Sequence, residues 1–579
     1  MFFKLTRNLP IRFRCAILLL VLSAPASPQV QSPIPGGSLD GILSYIHAGW
    51  DSLTRSTSSC RAVVDPKLST PPVIYVPAGI ATPSDIETME RNCKITVTHL
   101  PEMIHHLGSS EVESIEPSGL LYLPNQYVVP GGRFNEMYGW DSYFIILGLL
   151  RDGRVDLARG MVENFFYEIE NYGAVLNANR TYYLTRSQPP FLSSMVIAVH
   201  AALQSGRQDD RAWLEKAYSY VKRDHAMWTE AQHLAGTTGL SRYYDFGEGP
   251  APEALQDEND IYLQVAAYFL RHPSLPNTIT DYEEASKAPS GKASGSAYSV
   301  RVCGTDQSDP SCEKYLVKLK PDYYKGDRSM RESGFDISFR FGPYGAATHH
   351  YAPVCLNSLL FKTERDLSEL ARLLGKDAEA AHWQELAEKR KQSINKYFWD
   401  QRQGLFFDYN FDSAQRSTYR YATTFYPLWA GLATPEQARA VLKNLHLFEA
   451  PGGIVTSLEQ TEGQWDYPFG WAPLQLLAVE GMRRYGYNAD ADRISIDFLS
   501  MILQNFERDK TIREKYNVVT RSSETNVTAG YAANVIGFGW TNATFLELLH
   551  ALPSKSVAQL GESARLGGEQ LRLGAEGGI

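Results

Sequence analysis

The sequence predicts an all-α body whose helices follow one another in hairpin pairs, an arrangement that makes a closed ring of paired helices a candidate architecture. Three observations carry this. Apolar residues recur at helical spacing through most of residues 131–552, the turns between periodic segments are short and hold helix stop and start residues, and convincing strands are few. Leu360, Leu367, Leu370 and Leu374 share one helix face, and Gly375 follows as a stop. Asp377 is the expected N-cap of the next helix, where Trp383, Leu386, Arg390, Ile394 and Tyr397 keep the spacing. So short a linker makes the two helices antiparallel neighbours. Residues 423–432 read as a further helix. Residues 434–445 (TPEQARAVLKNL) read as another, capped at Thr434 with Pro435 just inside its start.

The remaining stretches are placed around this body. Residues 1–26 resemble an export signal. Lys4, Arg7, Arg12 and Arg14 precede the short apolar run CAILLLVLS, and Ala24-Pro25-Ala26 fits a small-x-small cleavage site. The run is too short to span a bilayer, so a soluble mature chain without a membrane span, periplasmic or secreted, is expected. Residues 27–130 read as an N-terminal extension packed on the body. Residues 273–324 read as one long irregular insertion, and 553–579 as a low-complexity tail rich in Gly and Glu.

Composition excludes some classes of function. The 579 residues carry 56 Lys plus Arg against 65 Asp plus Glu, a net charge of −9, with no dense basic run in the mature part. Nucleic-acid binding needs a concentrated basic surface, so it is not expected. Of the six cysteines, Cys15 leaves with the signal. Cys303–Cys312 and Cys60–Cys93 are possible disulfides, and Cys355, in an apolar segment, reads as a buried free thiol. No Cys/His cluster has metal-ligand spacing. His349-His350 and His105-His106 are adjacent pairs with no partner ligands nearby in sequence, and no metal site is expected.

The 33 Tyr, 25 Phe and 10 Trp fit either a large aromatic core or a sugar site, since sugar C–H faces stack on aromatic planes. An aromatic followed by Asp recurs as Trp140-Asp141, Phe335-Asp336 and Trp465-Asp466, with Trp540-Thr541-Asn542 as a looser copy. Each Asp could simply cap a helix; several such caps would converge on one end of a ring. Hydrolysis of a glycosidic bond needs two carboxyls, one protonating the leaving oxygen and one activating water. Asp336, among Gly334, Phe335, Ile337 and Phe339, stands out, as does Glu514 in IREKYN. Taken alone, each also reads as an ordinary residue: Asp336 as a cap, Glu514 as half of an ion pair with Lys515 or Arg513.

Two longer motifs decide. Residues 130–143 (PGGRFNEMYGWDSY) and 464–473 (QWDYPFGWAP) resemble the two signatures of the trehalases, glycoside hydrolase family 37, in the right order. NANR at 177–180 and YYLTRSQPPF at 182–191 resemble another block of that family. The resemblance covers residues from about 40 to 552. It implies an (α/α)6 toroid with the site at one end, inversion at the anomeric carbon, no cofactor, and a small-molecule disaccharide, α,α-trehalose, as substrate; a monomer is expected. By the same resemblance the general acid is Asp336 and the general base Glu514, with carboxyls roughly 6.5–9.5 Å apart to admit water. Sugar-contacting roles fall on Arg133, Trp140, Asp141, Asn177, Arg186, Ser187, Gln188 and Glu253. Three departures stand against the family pattern. Ala251 replaces an Arg two residues before Glu253, the 521–531 stretch ending at Tyr531 lacks most glycines of the family's lid, and Phe335 replaces a Trp. The alternative implied is an inverting α-glucosidase of the same fold acting on a different α-glucoside.

Overall fold

The computed structural model describes residues 39–63, 72–109, 115–203, 208–257, 261–275, 278–284, 297–302, 313–530, 533–558 and 560. Twelve helices form its frame. In chain order they are α1 (Leu39–Leu53), α2 (Asp141–Arg151), α3 (Val155–Asn171), α4 (Leu192–Ala202), α5 (Gln208–Thr229), α6 (Val354–Leu373), α7 (Asp377–Tyr397), α8 (Tyr426–Trp429), α9 (Pro435–Lys443), α10 (Ala472–Arg484), α11 (Asn488–Asp509) and α12 (Gly539–Ala551). The even-numbered helices pack in sequence, α2 on α4, α4 on α6, α6 on α8, α8 on α10, α10 on α12, and α12 back on α2. That is a closed inner ring of six. The odd-numbered helices lie outside it; α7 packs on α6, α11 on α10 and α12, and α1 on α11 and α12. The fold is therefore the (α/α)6 toroid.

Burial explains the two layers. Of the eleven residues of α2, eight are buried, because a helix enclosed by neighbours must be apolar or small nearly all round. The outer α7 buries only Ala380, Trp383, Ala387, Arg390 and Ile394, a single stripe. Gly148 marks the seam between the first and last inner helices. A Cβ there would lie 2.8 Å from the Ala543 Cβ and 2.9 Å from Trp50. Only the absent side chain allows α2 and α12 to approach so closely.

Local signals behave largely as their chemistry requires. Gly375 takes φ +73° and ends α6. Lys376 is the N-cap of α7, and Asp377 is its first residue instead of its cap, facing the positive helix end. Thr434 and Gln437 form a reciprocal capping box, with Pro435 in the first turn. In place of one helix over residues 423–432 there is a 3₁₀ turn (Ala422–Phe425) and then the single turn of α8, which Gly431 stops at φ +73°.

Between α5 and α6 the stretch read as irregular contains order. Strands Ile279–Glu284, Ala297–Val302 and Glu313–Leu319 form an antiparallel sheet with the last in the middle, packed on helix Ile261–Arg271. Their charged and hydroxyl residues obscure the alternation expected of a half-buried strand. A second sheet, parallel, pairs Val73–Val76 with Thr96–His99 and Leu120–Leu121. Cys60 and Cys93 form a disulfide with a Cα separation of 5.4 Å. Cys355 is a buried free thiol. Cys303 and Cys312 lie outside the described residues. Among the described residues no helix is long and apolar enough to cross a membrane.

Candidate active site

At the amino-terminal ends of α2, α10 and α12 one cavity gathers Trp140, Asp141, Gln188, Asp336, Trp465, Trp471, Glu514 and Trp540. Four tryptophans form its wall. Trp465 stacks on Trp471 at 3.8 Å between ring centroids, and Trp140 meets Trp540 and Phe335 edge-on at 5.6 Å each. The repeated aromatic–Asp theme thus does converge on one end of the ring, but in three different ways. Asp141 opens α2. Asp336 lies in the loop after helix Pro321–Glu332. Asp466 caps no helix and holds that loop.

The Asp336 loop is gripped from both sides. Gly334, at φ +75°, lies so near the Trp140 ring that a Cβ would be 2.9 Å from it. On the other side, the buried Asp466 carboxylate accepts from Phe339 N at 2.9 Å, Ser338 Oγ at 3.2 Å, Tyr419 Oη at 2.8 Å and Thr461 Oγ1 at 2.7 Å. Burial raises the Asp466 pKa in spite of these donors. Trp465 N donates to the Ile337 carbonyl at 3.1 Å.

Glu514 stands just before strand Lys515–Asn517, which pairs antiparallel with Phe469–Trp471. Glu514 N donates to Val535 O at 2.9 Å, and Trp540 Nε1 donates to the Glu514 carbonyl at 3.2 Å. Lys515, fully buried, donates to Glu514 Oε2 at 3.2 Å and to Gln464 Oε1 at 3.0 Å. The same Gln464 amide donates through Nε2 to the Asp336 carbonyl at 2.6 Å. One side chain therefore links the backbone of Asp336 to the cation beside Glu514. Asp141 sits near both carboxyls: burial first, then Glu514 and Asp336, push its pKa well above the usual carboxylate range.

The other sequence-predicted residues divide into two groups. Gln188 lines the cavity and accepts from Trp140 N at 2.9 Å. Asn177, Arg186, Ser187 and Glu253 form a buried polar cluster next to it. Arg186 donates to Asn177 Oδ1 at 2.8 Å and to Glu253 Oε1 at 2.5 Å, with Asp245 at 3.5 Å. The Ser187 hydroxyl is committed to Val175 O at 2.6 Å. Arg133 lies over the Phe134 ring, 5.3 Å from its centroid, and Phe134 lines the cavity.

Sequence reasoning missed four buried members of that cluster, Asp245, Asp327, Arg328 and Arg331. Arg328 pairs with Asp245 at 3.3 Å; Arg331 pairs with Asp327 at 3.2 Å and approaches Glu253 at 3.7 Å. Ala251 is fully buried, and its N–H donates to Tyr262 Oη, which donates in turn to Asp327. Arg328 and Arg331 lie three residues apart on one helix, and that spacing was the available signal. Beyond the 521–531 stretch, Asn534 donates to Lys515 O and to Ser523 O, so it bonds both that stretch and the strand after Glu514. Tyr531 lies outside the described residues.

Comparison with known proteins gives the family. The trehalase family pattern matches residues 50–314 and 318–553. The chain is 36% identical to a probable trehalase of Eremothecium gossypii, over 86% of this chain and 71% of that protein. It is equally similar to the cytosolic neutral trehalase of Saccharomyces cerevisiae, over 88% and 71%. The solved structure of the yeast neutral trehalase superposes with a TM-score of 0.72 at 33% identity, covering 90% of this chain and 96% of that one.

These relatives overturn one expectation. Several are named cytosolic neutral trehalases, which contradicts a signal peptide over residues 1–26 and a periplasmic or secreted protein. That reading rested on a basic start and a short apolar run, a pattern of composition alone. Residues 1–26 lie outside the described residues. The chain belongs to the trehalase family, and it is a glycoside hydrolase.

Proposed function

We propose that the protein hydrolyses α,α-trehalose to two glucose molecules with inversion, Asp336 acting as general acid and Glu514 as general base. The observation that carries this reading is that both residues line one tryptophan-walled cavity, linked through the Gln464 amide and Lys515. In this scheme Asp336 gives its proton to the bridging oxygen. Glu514 takes a proton from a water that attacks the anomeric carbon from the other side, and Lys515 balances its charge before attack. Asp141, whose pKa burial and the two neighbouring carboxyls raise, lies beside both and faces the same cavity. The neighbouring cluster of Asn177, Arg186 and Glu253 reads hydroxyls; Glu253 Oε2 has no protein hydrogen-bond partner although it is buried.

A second reading, an inverting α-glucosidase for another α-glucoside, draws on Ala251, which removes a guanidinium expected there. Against it, Arg331 reaches Glu253 from the adjacent helix and brings a cation to the same cluster. Glucose release from trehalose, kojibiose, nigerose, maltose and an aryl α-glucoside separates the two. Trehalose as the preferred substrate supports the first reading; preference for any other supports the second. Asp336→Asn should lower kcat by about 10²–10⁴-fold, the usual worth of a positioned acid, while trehalose still binds. Unchanged turnover removes Asp336 from the mechanism. Following the anomer first released by NMR tests inversion.

A further inference from the structure

His349 and His350 have no ligand-type neighbours in sequence, yet the fold supplies one. Asp322, in the first turn of helix Pro321–Glu332, places Oδ1 3.1 Å from His349 Nε2 and 3.6 Å from His350 Nε2. One ligand atom from each of the three residues lies within 4.8 Å of the others. We propose that Asp322, His349 and His350 form a binding site for a first-row divalent transition metal, with Zn²⁺ as the reference ion.

Three features support the assignment. Two imidazole nitrogens and one carboxylate oxygen suit zinc and its neighbours and do not suit Mg²⁺ or Ca²⁺, which require oxygen ligands. Zinc–ligand bonds of about 2.0–2.2 Å in a tetrahedron put adjacent ligand atoms about 3.3 Å apart, and the two nitrogen–oxygen separations here straddle that value. The Asp412 carboxylate bonds His350 Nδ1, which fixes the tautomer that leaves the Nε2 lone pair toward Asp322.

The charges facing the site are the carboxylates of Asp322 and Asp412 and the guanidinium of Arg242, whose Nη1 donates to the His349 carbonyl at 2.8 Å. Two anions against one cation favour a dication. Asp322 and His350 are part-exposed, which gives the metal a path in and a fourth position for water. A bound ion would clamp the two ends of the segment that runs from helix Pro321–Glu332 through Asp336 to the Thr348–His350 turn.

The test uses the full chain without a polyhistidine tag, stripped with EDTA and dialysed. Isothermal titration with ZnCl₂ is expected to give one equivalent bound, and MgCl₂ none. Asp322→Asn and His350→Gln should each weaken zinc binding at least 10-fold, a typical cost of losing part of a metal's environment. Co²⁺ should give the visible spectrum of a tetrahedral site in the parent protein and lose it in both variants. His350→Gln, at the other part-exposed ligand, keeps the test available if Asp322→Asn fails to fold. No binding by the parent, equal binding by both variants, or Mg²⁺ binding as tightly as Zn²⁺ would overturn the assignment.

Discussion

Replacing Glu253 by Gln puts the energetics of the polar cluster to a direct test. Three guanidiniums, Arg186, Arg328 and Arg331, meet three carboxylates, Asp245, Glu253 and Asp327, and all six side chains are nearly inaccessible to water. The charges balance. Glu253→Gln keeps the shape of the side chain but leaves one buried positive charge uncompensated. Removing one partner of a buried pair costs about 3–5 kcal/mol.

The pH dependence has a definite sign. Burial works against the charged forms, but Arg186 with Arg331 holds the Glu253 pKa below its ordinary value, and Arg328 with Arg186 does the same for Asp245. A depressed carboxylate pKa contributes stability above the ordinary value, and the contribution is lost as pH falls through the folded value. Denaturant unfolding should therefore show the variant about 3–5 kcal/mol less stable at pH 7. The gap should begin to close below about pH 4.5, where Glu253 starts to take up protons in the unfolded chain. A gap of only about 0.5 kcal/mol at neutral pH, the size of a surface change, would refute the reasoning.

Three further outcomes follow from the site. Asp466→Asn offers an amide N–H₂ where four donors converge, so the Asp336 loop should shift; kcat for trehalose should fall by about 10²-fold with a smaller change in KM, and an unchanged kcat would separate this anchor from the reaction. Asp141→Asn removes a carboxyl whose pKa burial raises. It should raise stability at pH 7, with the gain disappearing as pH drops below the ordinary Asp value, and a loss at neutral pH would contradict the raised pKa. Ala251→Arg, the family-like residue, should cost about 1–3 kcal/mol by overpacking against Tyr262; higher kcat/KM with intact stability would show that the pocket was left room for it.

How far the sequence revealed all this depended on distance along the chain. Signals within a few residues, such as the Thr434 capping box or the Gly375 stop, were legible because their partners are local. The two long motifs located the cavity because each carries several of its wall residues at once. Asp466 illustrates the limit. Next to Trp465 it resembles a helix cap, and its true partner, Phe339 N, is 127 residues away. The same holds for Gln464 and Lys515, 51 residues apart, and for Asp322 with its histidines. The insertion sheet was hidden differently: charged and hydroxyl residues in its strands blurred the period of two.

The Gly148 seam has a consequence for how the protein comes into being. The stave that completes the inner ring, α12, is the last helix of the frame to be synthesised, and it must lie against α2, made some four hundred residues earlier. Trp540, at the head of that final stave, holds the Glu514 carbonyl. A chain released short of it would leave α2 and α10 facing an open slot, with apolar side chains exposed and Glu514 missing one of its supports. Activity should therefore appear in nascent chains all at once and late, with no partly competent fragment before ring closure.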